Sequence, residues 1–270
     1  MRHGVSFAVA GATLALYVGV ILVGARLGPR ALDYGWHTGP KLAPWRMARV
    51  SGMSAERAAE IELGRRLFDE TPLYSSAGVK SRISCSNCHL EGGIAPYGLA
   101  VVGSAQTFPQ YSKRAGRQIT LEDRVEECMT RSEDGDALPV DGREMKALVA
   151  YIDWLSEPHP QQAAFVGRGL AVLPKMTPNP VHGAEVYAAQ CAGCHGKTGD
   201  GIRPMFPPLW GAAAFNDGAG MNGVDKLAAF VQYNMPHNRK GILSAQDAYD
   251  VAAFVHAQPR PAFNHQYDRF

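Results

Sequence analysis

Cys85-Ser86-Asn87-Cys88-His89 and Cys191-Ala192-Gly193-Cys194-His195 decide how this chain of 270 residues is read. Two cysteines three positions apart sit about one helical turn from each other. Both sulfurs can then bond the two vinyl groups of a single haem while the imidazole of the next residue turns onto the iron. A zinc site would ask for a second Cys or His pair nearby, and a thioredoxin-type redox pair carries no obligatory His behind it. Two full copies of the pattern imply two covalently bound haems c, one attached through Cys85 and Cys88, the other through Cys191 and Cys194. His89 and His195 are then the first axial ligand of each iron.

One motif falls in each half of the chain, which is long enough for two small domains. A haem is itself a large apolar body, so a domain of roughly 100 residues can form a core around it with few strands or none. The formal net charge of +2 and the 46% of hydrophobic residues belong to an ordinary globular body. No basic stripe interleaved with aromatic residues marks a nucleic-acid surface. Ser6 to Ala25 is an uncharged run of apolar and small residues behind Arg2 and His3, long enough to cross a bilayer, and Val23-Gly24-Ala25 fits a small-x-small cleavage site. Residues 1–25 therefore read as an export signal or a membrane anchor, and the haem domains as periplasmic. Four of the five cysteines attach haem and no disulfide is required; Cys128 is left over.

Residues 26–52, rich in Gly, Pro and Arg without a sustained period, read as a tether. The first domain spans 53–157. A helix starts near Ser54 with Ile61, Leu63, Leu67 and Phe68 on one broad face, and Asp141-Gly-Arg-Glu144 has the spacing of a capping box. The helix behind it carries Met145, Leu148, Val149, Ile152 and Leu155 at helical spacing. A linker over 158–179 holds Pro158, Pro160, Pro174 and Pro178, with Pro180 just behind it, and should lie semi-rigid on the surface. The second domain spans 180–262 and repeats the plan, with a helix from Pro180 to Gln190 and a closing helix behind Ser244-Ala-Gln-Asp247; residues 263–270 form a tail. The fold class is mainly α, two units each built around one haem. This layout resembles class I cytochrome c, where the first and last helices cross near the haem edge. Gly64 with Phe68, and Gly183 with Tyr187, resemble the Gly and aromatic pair at that crossing.

What binds the opposite face of each iron sets its electronic character. For the second haem the candidate is Met235, forty residues after His195, followed by Pro and set just before the closing helix; Met205 and Met221 are its rivals. For the first haem no Met-Pro stands at that distance. Cys128 does, thirty-nine residues after His89, with Met129 as a rival ligand and a buried inert thiol as the alternative reading. Arg124 and Arg131, four before and three after, would share its face on a helix and favour the thiolate. A thiolate ligand draws an iron to lower potential than a thioether, so electrons entering at the first haem would run to the second.

Arg124-Val-x-x-Cys128-Met-x-Arg131-Ser132, Leu138-Pro, Asp141-Gly and Glu144-Met-x-Ala-Leu-Val-Ala-Tyr-Ile-x-Trp-Leu155 form one set of motifs in the first half. Phe206-Pro-Pro-Leu-Trp-Gly211, Phe215-Asn216, Gly218-Ala-Gly-Met221 and Asn234-Met-Pro236 form another in the second. Over residues 60–262 the chain resembles the dihaem thiosulfate dehydrogenases. The resemblance implies oxidation of thiosulfate to tetrathionate at a His89/Cys128-ligated haem, with Arg114, Arg124 and Ser132 at the substrate. Electrons would leave through a His195/Met235 haem to an external acceptor such as a small cytochrome c. Small dianions brought together need fixed cations and hydrogen-bond donors, which these residues supply. Where family members commonly read Arg-Ser-Met-Asn-Gly, this chain reads Arg131-Ser132-Glu133-Asp134-Gly135, and two carboxylates pointing inward would oppose a dianion. A Lys found before the second Met ligand in some members is Asn234 here. A dihaem carrier without a substrate, a tetrathionate reductase and an oxidoreductase for another sulfur compound are the competing readings.

Overall fold

Helix α1 (Ala55–Asp69) starts where Ser54 accepts a hydrogen bond from the Arg57 amide at 3.2 Å, the side-chain cap that a helix with free leading N–H groups calls for. It belongs to a computed structural model that describes residues 52–157, 165–202 and 205–268. The Ser6–Ala25 run and the tether up to Ser51 lie outside the described residues. Within the described residues no helix is long and apolar enough to cross a membrane.

The remaining long helices are α2 (Leu121–Arg131), α3 (Arg143–Ser156), α4 (Pro180–Gln190), α5 (Val224–Asn234) and α6 (Ala245–His256). Among the described residues the only sheet is a hairpin, β1 (Gln110–Ser112) against β2 (Arg117–Ile119), antiparallel with Gln110 opposite Ile119. Reciprocal capping boxes start α2, through Thr120 and Asp123, and α6, through Ser244 and Asp247. Pro180 opens α4 behind an Asn179 cap. The box expected at Asp141 and Glu144 does not form. Gly142 is the N-cap of α3, and the Glu144 carboxylate instead accepts from Ser75 Oγ at 2.9 Å and the Ser76 amide at 3.0 Å, tying the chain after α1 to the head of α3.

In both halves the first and last helices cross at the expected glycine. A Cβ on Gly64 would lie 1.9 Å from the Ala147 carbonyl oxygen of α3, and one on Gly183 would lie 2.0 Å from the Asp250 carbonyl oxygen of α6. Only a residue without a side chain lets two backbones approach so closely. One turn further on, Phe68 packs on Tyr151 with ring centroids 5.3 Å apart, and Tyr187 packs on Phe254 at 5.4 Å. Two apolar cores follow. Leu67, Phe68, Met129, Leu148 and Leu155 centre the first; Tyr187, Phe230, Val251 and Val255 centre the second.

The two halves are stitched together. Arg82 donates from its amide to Ala213 O at 2.8 Å and from Nη2 to Asp200 O at 2.6 Å. The fully buried Asn216 donates to Thr130 O and Asp134 Oδ1, both at 2.9 Å. The described part of the linker runs largely over the surface and is pinned to both cores. Phe165 is buried in the first core, Leu170, Leu173 and Met176 lie against the second, and Gly167 and Gly169 accept from the Tyr97 and Leu99 amides. Four apolar side chains among the prolines give this segment something to bury.

Candidate functional site

A largely apolar cavity of about 230 Å³ opens inside the first half. Cys85, Cys88 and His89 line one part of it; Arg124, Cys128, Met129, Ser132 and Glu133, from α2 and the turn behind it, line another. The cysteine pair sits on one helical turn (Cys85–Cys88) whose N-cap, Ser84, forms a capping box with Asn87. Thr71 Oγ1 fixes its start by accepting from the Cys85 amide at 3.2 Å while donating to Leu67 O at 2.8 Å. The His89 ring lies 2.6 Å through Nδ1 from the Leu99 carbonyl oxygen. A carbonyl only accepts, so Nδ1 carries the proton and Nε2 keeps its lone pair for a metal. Burial pushes His89 down to about 4, against the Leu99 bond and with help from Arg124, so the ring is neutral at working pH.

The second motif is built alike. Cys191 caps α4 through its amide bond to Tyr187 O, a turn at Ala192–His195 follows, and His195 Nδ1 lies 2.9 Å from the Pro207 carbonyl oxygen. Met235, directly after α5, is partly buried against the second core, as are Cys191 and Ala192. Of its rivals, Met205 is 69% exposed and Met221 is buried in the core. Each site thus offers paired thiols on one helical turn and a neutral imidazole whose outer nitrogen is already hydrogen-bonded. That donor set fits a covalently attached haem in each half.

Of the substrate residues expected from the sequence, Arg124, Cys128 and Ser132 come together in the first cavity. Arg124 stays firmly protonated, its guanidinium favoured first by the charge of Cys128 and then by Glu127, whose Oε2 accepts from Arg124 Nη1 at 2.7 Å. Arg114 is not among them. It stands exposed on the β1–β2 turn and lines a separate groove of about 750 Å³ with Arg131, Asp217, Lys226 and Asp268. Arg131 does not share the Cys128 face either. Its guanidinium stacks on Phe263 at 3.8 Å, on the flank of α2 that the C-terminal segment covers.

The two unexpected carboxylates part company. Asp134 turns away to Asn216. Glu133 is buried in the cavity wall, where burial first and the nearby Cys128 second raise its carboxyl well above the usual range and favour the neutral acid. A protonated Glu133 would remove the repulsion expected from an inward carboxylate. Asn216 and Asn234 are both fully buried, and their only local signal in the sequence is a polar side chain inside an otherwise apolar motif.

Residues 71–160 match the SoxA/TsdA cytochrome c domain, and residues 178–255 match cytochrome c oxidase, cbb3-type, subunit III. The thiosulfate dehydrogenase of Allochromatium vinosum is 40% identical over 214 residues, covering 74% of this chain and 78% of that protein. The chain belongs to the thiosulfate dehydrogenase family. The enzyme of that name from Thiomonas intermedia is 36% identical, across 74% of this chain and 66% of its own length. A solved thiosulfate dehydrogenase (TsdBA) from Marichromatium purpuratum, in its as-isolated form, superposes with a TM-score of 0.73 at 32% identity over 79% of this chain. This chain covers 49% of that longer one, about half its length. Membership brings with it an oxidoreductase of two cytochrome c domains carrying two covalently bound haems c, in agreement with the paired donor sets.

Proposed function

We propose that this protein oxidises thiosulfate, joining two molecules into tetrathionate with the release of two electrons, at the haem held by Cys85, Cys88 and His89. The observation that carries this reading is Cys128 facing the same cavity as His89, with Arg124 and Ser132 beside it. Cys128 and His89 would hold the first iron, and His89 and His195 are oriented by the Leu99 and Pro207 carbonyls. Arg124 holds a dianion by charge and paired N–H donors, and Ser132 adds a hydroxyl. Protonated, Glu133 adds no negative charge. The apolar wall formed by Phe68, Leu148 and Ile152 keeps water from the site and strengthens these contacts.

When bound, the haems would supply one-electron redox chemistry at the two sites. Met235 and His195 would hold the second iron, and a thioether donor there against a thiolate at the first would make the two centres unequal, favouring delivery from the first site to the second and on to an acceptor such as a small cytochrome c. The domains are taken as 53–157 and 180–262, in the periplasm, with residues 1–25 as signal or anchor. Arg114, on the neighbouring groove, acts on the approaching dianion and not at the sulfur.

Purified holoprotein should reduce a ferric acceptor with thiosulfate, and Cys128→Gly should abolish that turnover with both haems still attached. The oxidised wild type should give a low-spin ferric paramagnetic signal of the cysteinate type that the variant lacks. Full turnover by the variant would overturn the proposal.

A further inference from the structure

Asn234 is the last residue of α5, 1% exposed, and immediately precedes Met235. Both hydrogens of its side-chain amide are used. Nδ2 donates to Phe230 O in its own helix at 2.9 Å and to Tyr97 O in the first domain at 3.0 Å. Tyr97 and Leu99 have φ of +58° and +52°, a conformation that non-glycine residues hold only when their surroundings fix it.

Every backbone polar group of Tyr97-Gly98-Leu99 is committed. The Tyr97 and Leu99 amides donate to Gly167 and Gly169 of the linker, and the Gly98 amide and carbonyl pair with Ala95 and Leu90. The Leu99 carbonyl accepts from His89 Nδ1, and the Tyr97 carbonyl accepts from Asn234. Asn234 is thus the side chain by which the second domain holds the strained segment that supports His89. The Tyr97 ring, packed on Tyr233 with centroids 4.8 Å apart, closes the same joint.

We infer that Asn234 is a positioning residue for both haems at once: it seats Met235 at the end of α5 and, through Tyr97-Gly98-Leu99, sets the hydrogen bond that makes His89 a strong donor to the first iron. The inference rests on His89 and Met235 being axial ligands. A histidine that loses its carbonyl partner becomes a weaker electron donor, which favours the reduced iron and raises the midpoint potential. A haem that loses its thioether ligand moves the other way. Releasing the joint therefore brings the two potentials toward each other from opposite sides.

Two variants separate the bonds. Asn234→Leu removes both donors, whereas Asn234→Ser keeps a hydroxyl that reaches the Phe230 carbonyl one turn back and cannot span to Tyr97. Redox titration of the holoproteins, with haem content and far-ultraviolet circular dichroism as folding controls, reads both centres separately. Both variants should raise the first haem's midpoint. Asn234→Leu should in addition lower the second and weaken the long-wavelength thioether-to-ferric-iron absorption band. A general loosening of the fold would not move two potentials in opposite directions. If the wild type lacks the thioether band, Met235 is not the ligand and the inference falls with that assignment. If the band is present and the first midpoint is unchanged in both folded variants, the inference alone is overturned.

Discussion

Replacing Gly64 by Ala puts the helix crossing of the first domain to a direct test. Alanine is the better helix former by about 1 kcal/mol, so an unobstructed α1 would be stabilised. Here the added Cβ would lie 1.9 Å from Ala147 O, 2.6 Å from the Ala147 carbonyl carbon and 2.8 Å from Tyr151 Cβ. The first distance falls about 1.5 Å short of ordinary contact. Two of the three obstacles are backbone, so no rotamer change relieves them and α1 has to move off α3. Overpacking of this kind costs about 1–3 kcal/mol and occasionally more. A rigid obstacle belongs at the upper end, leaving a net loss of about 2 kcal/mol after the propensity gain. For a domain of this size that is a fall in Tm of roughly 10–15 °C.

Thermal unfolding of the holoprotein, followed by far-ultraviolet circular dichroism and haem absorbance, measures the fall. Because Phe68 of α1 and Leu148 of α3 line the cavity, turnover with thiosulfate should drop as well. Gly183→Ala, 2.0 Å from Asp250 O, should repeat the loss in the second domain. An alanine at either site that melts at or above the parent temperature would refute the close-crossing argument for that domain.

Arg124→Ala, which removes a charged donor from the cavity, should raise the KM for thiosulfate about 10- to 100-fold. Arg114→Ala, on the exposed groove, should change it by less than about 3-fold, as expected of an exposed charge; steady-state kinetics distinguishes the two. Asn216→Leu would strip the partners from Thr130 O and Asp134 Oδ1 at a buried site and should cost about 1–3 kcal/mol in denaturant unfolding. The hydrogen bond from His182 to Asp250 at 2.8 Å is the chief cause that raises the His182 pKa in the folded state. That contribution is full below the unfolded value of 6.5 and fades as pH rises through the higher folded value. The Tm of the wild type should therefore fall over that window relative to His182→Gln, and parallel profiles would contradict the pairing.

The haem motifs, the helices and the Gly-aromatic crossings were legible because each is written in residues a few positions apart. Ser54, Pro180 and Ser244 announce helix starts by themselves, and Gly64 to Phe68 and Gly183 to Tyr187 repeat one offset. What could not be read depends on partners distant in sequence. Glu144 sits at capping-box spacing but is drawn to Ser75 and Ser76, 69 and 68 positions earlier. Arg131 is three residues from Cys128, yet the choice between that face and Phe263 is made by the C-terminal segment. Glu133 reads as a charge, and only its burial against Cys128 favours the neutral acid. Phe165 among prolines gave no period to follow, so its place in the first core emerged only from the fold.

Asn216 joins the loop after the second haem motif to Thr130 and Asp134, which flank Ser132 and Glu133 in the turn behind Cys128. Excising the N-terminal unit as a free-standing monohaem domain would therefore strip this donor from the Thr130 carbonyl and the Asp134 carboxylate, close in sequence to Cys128. A serviceable miniature would have to replace that one carboxamide before anything else, for instance by grafting an amide donor onto the turn itself.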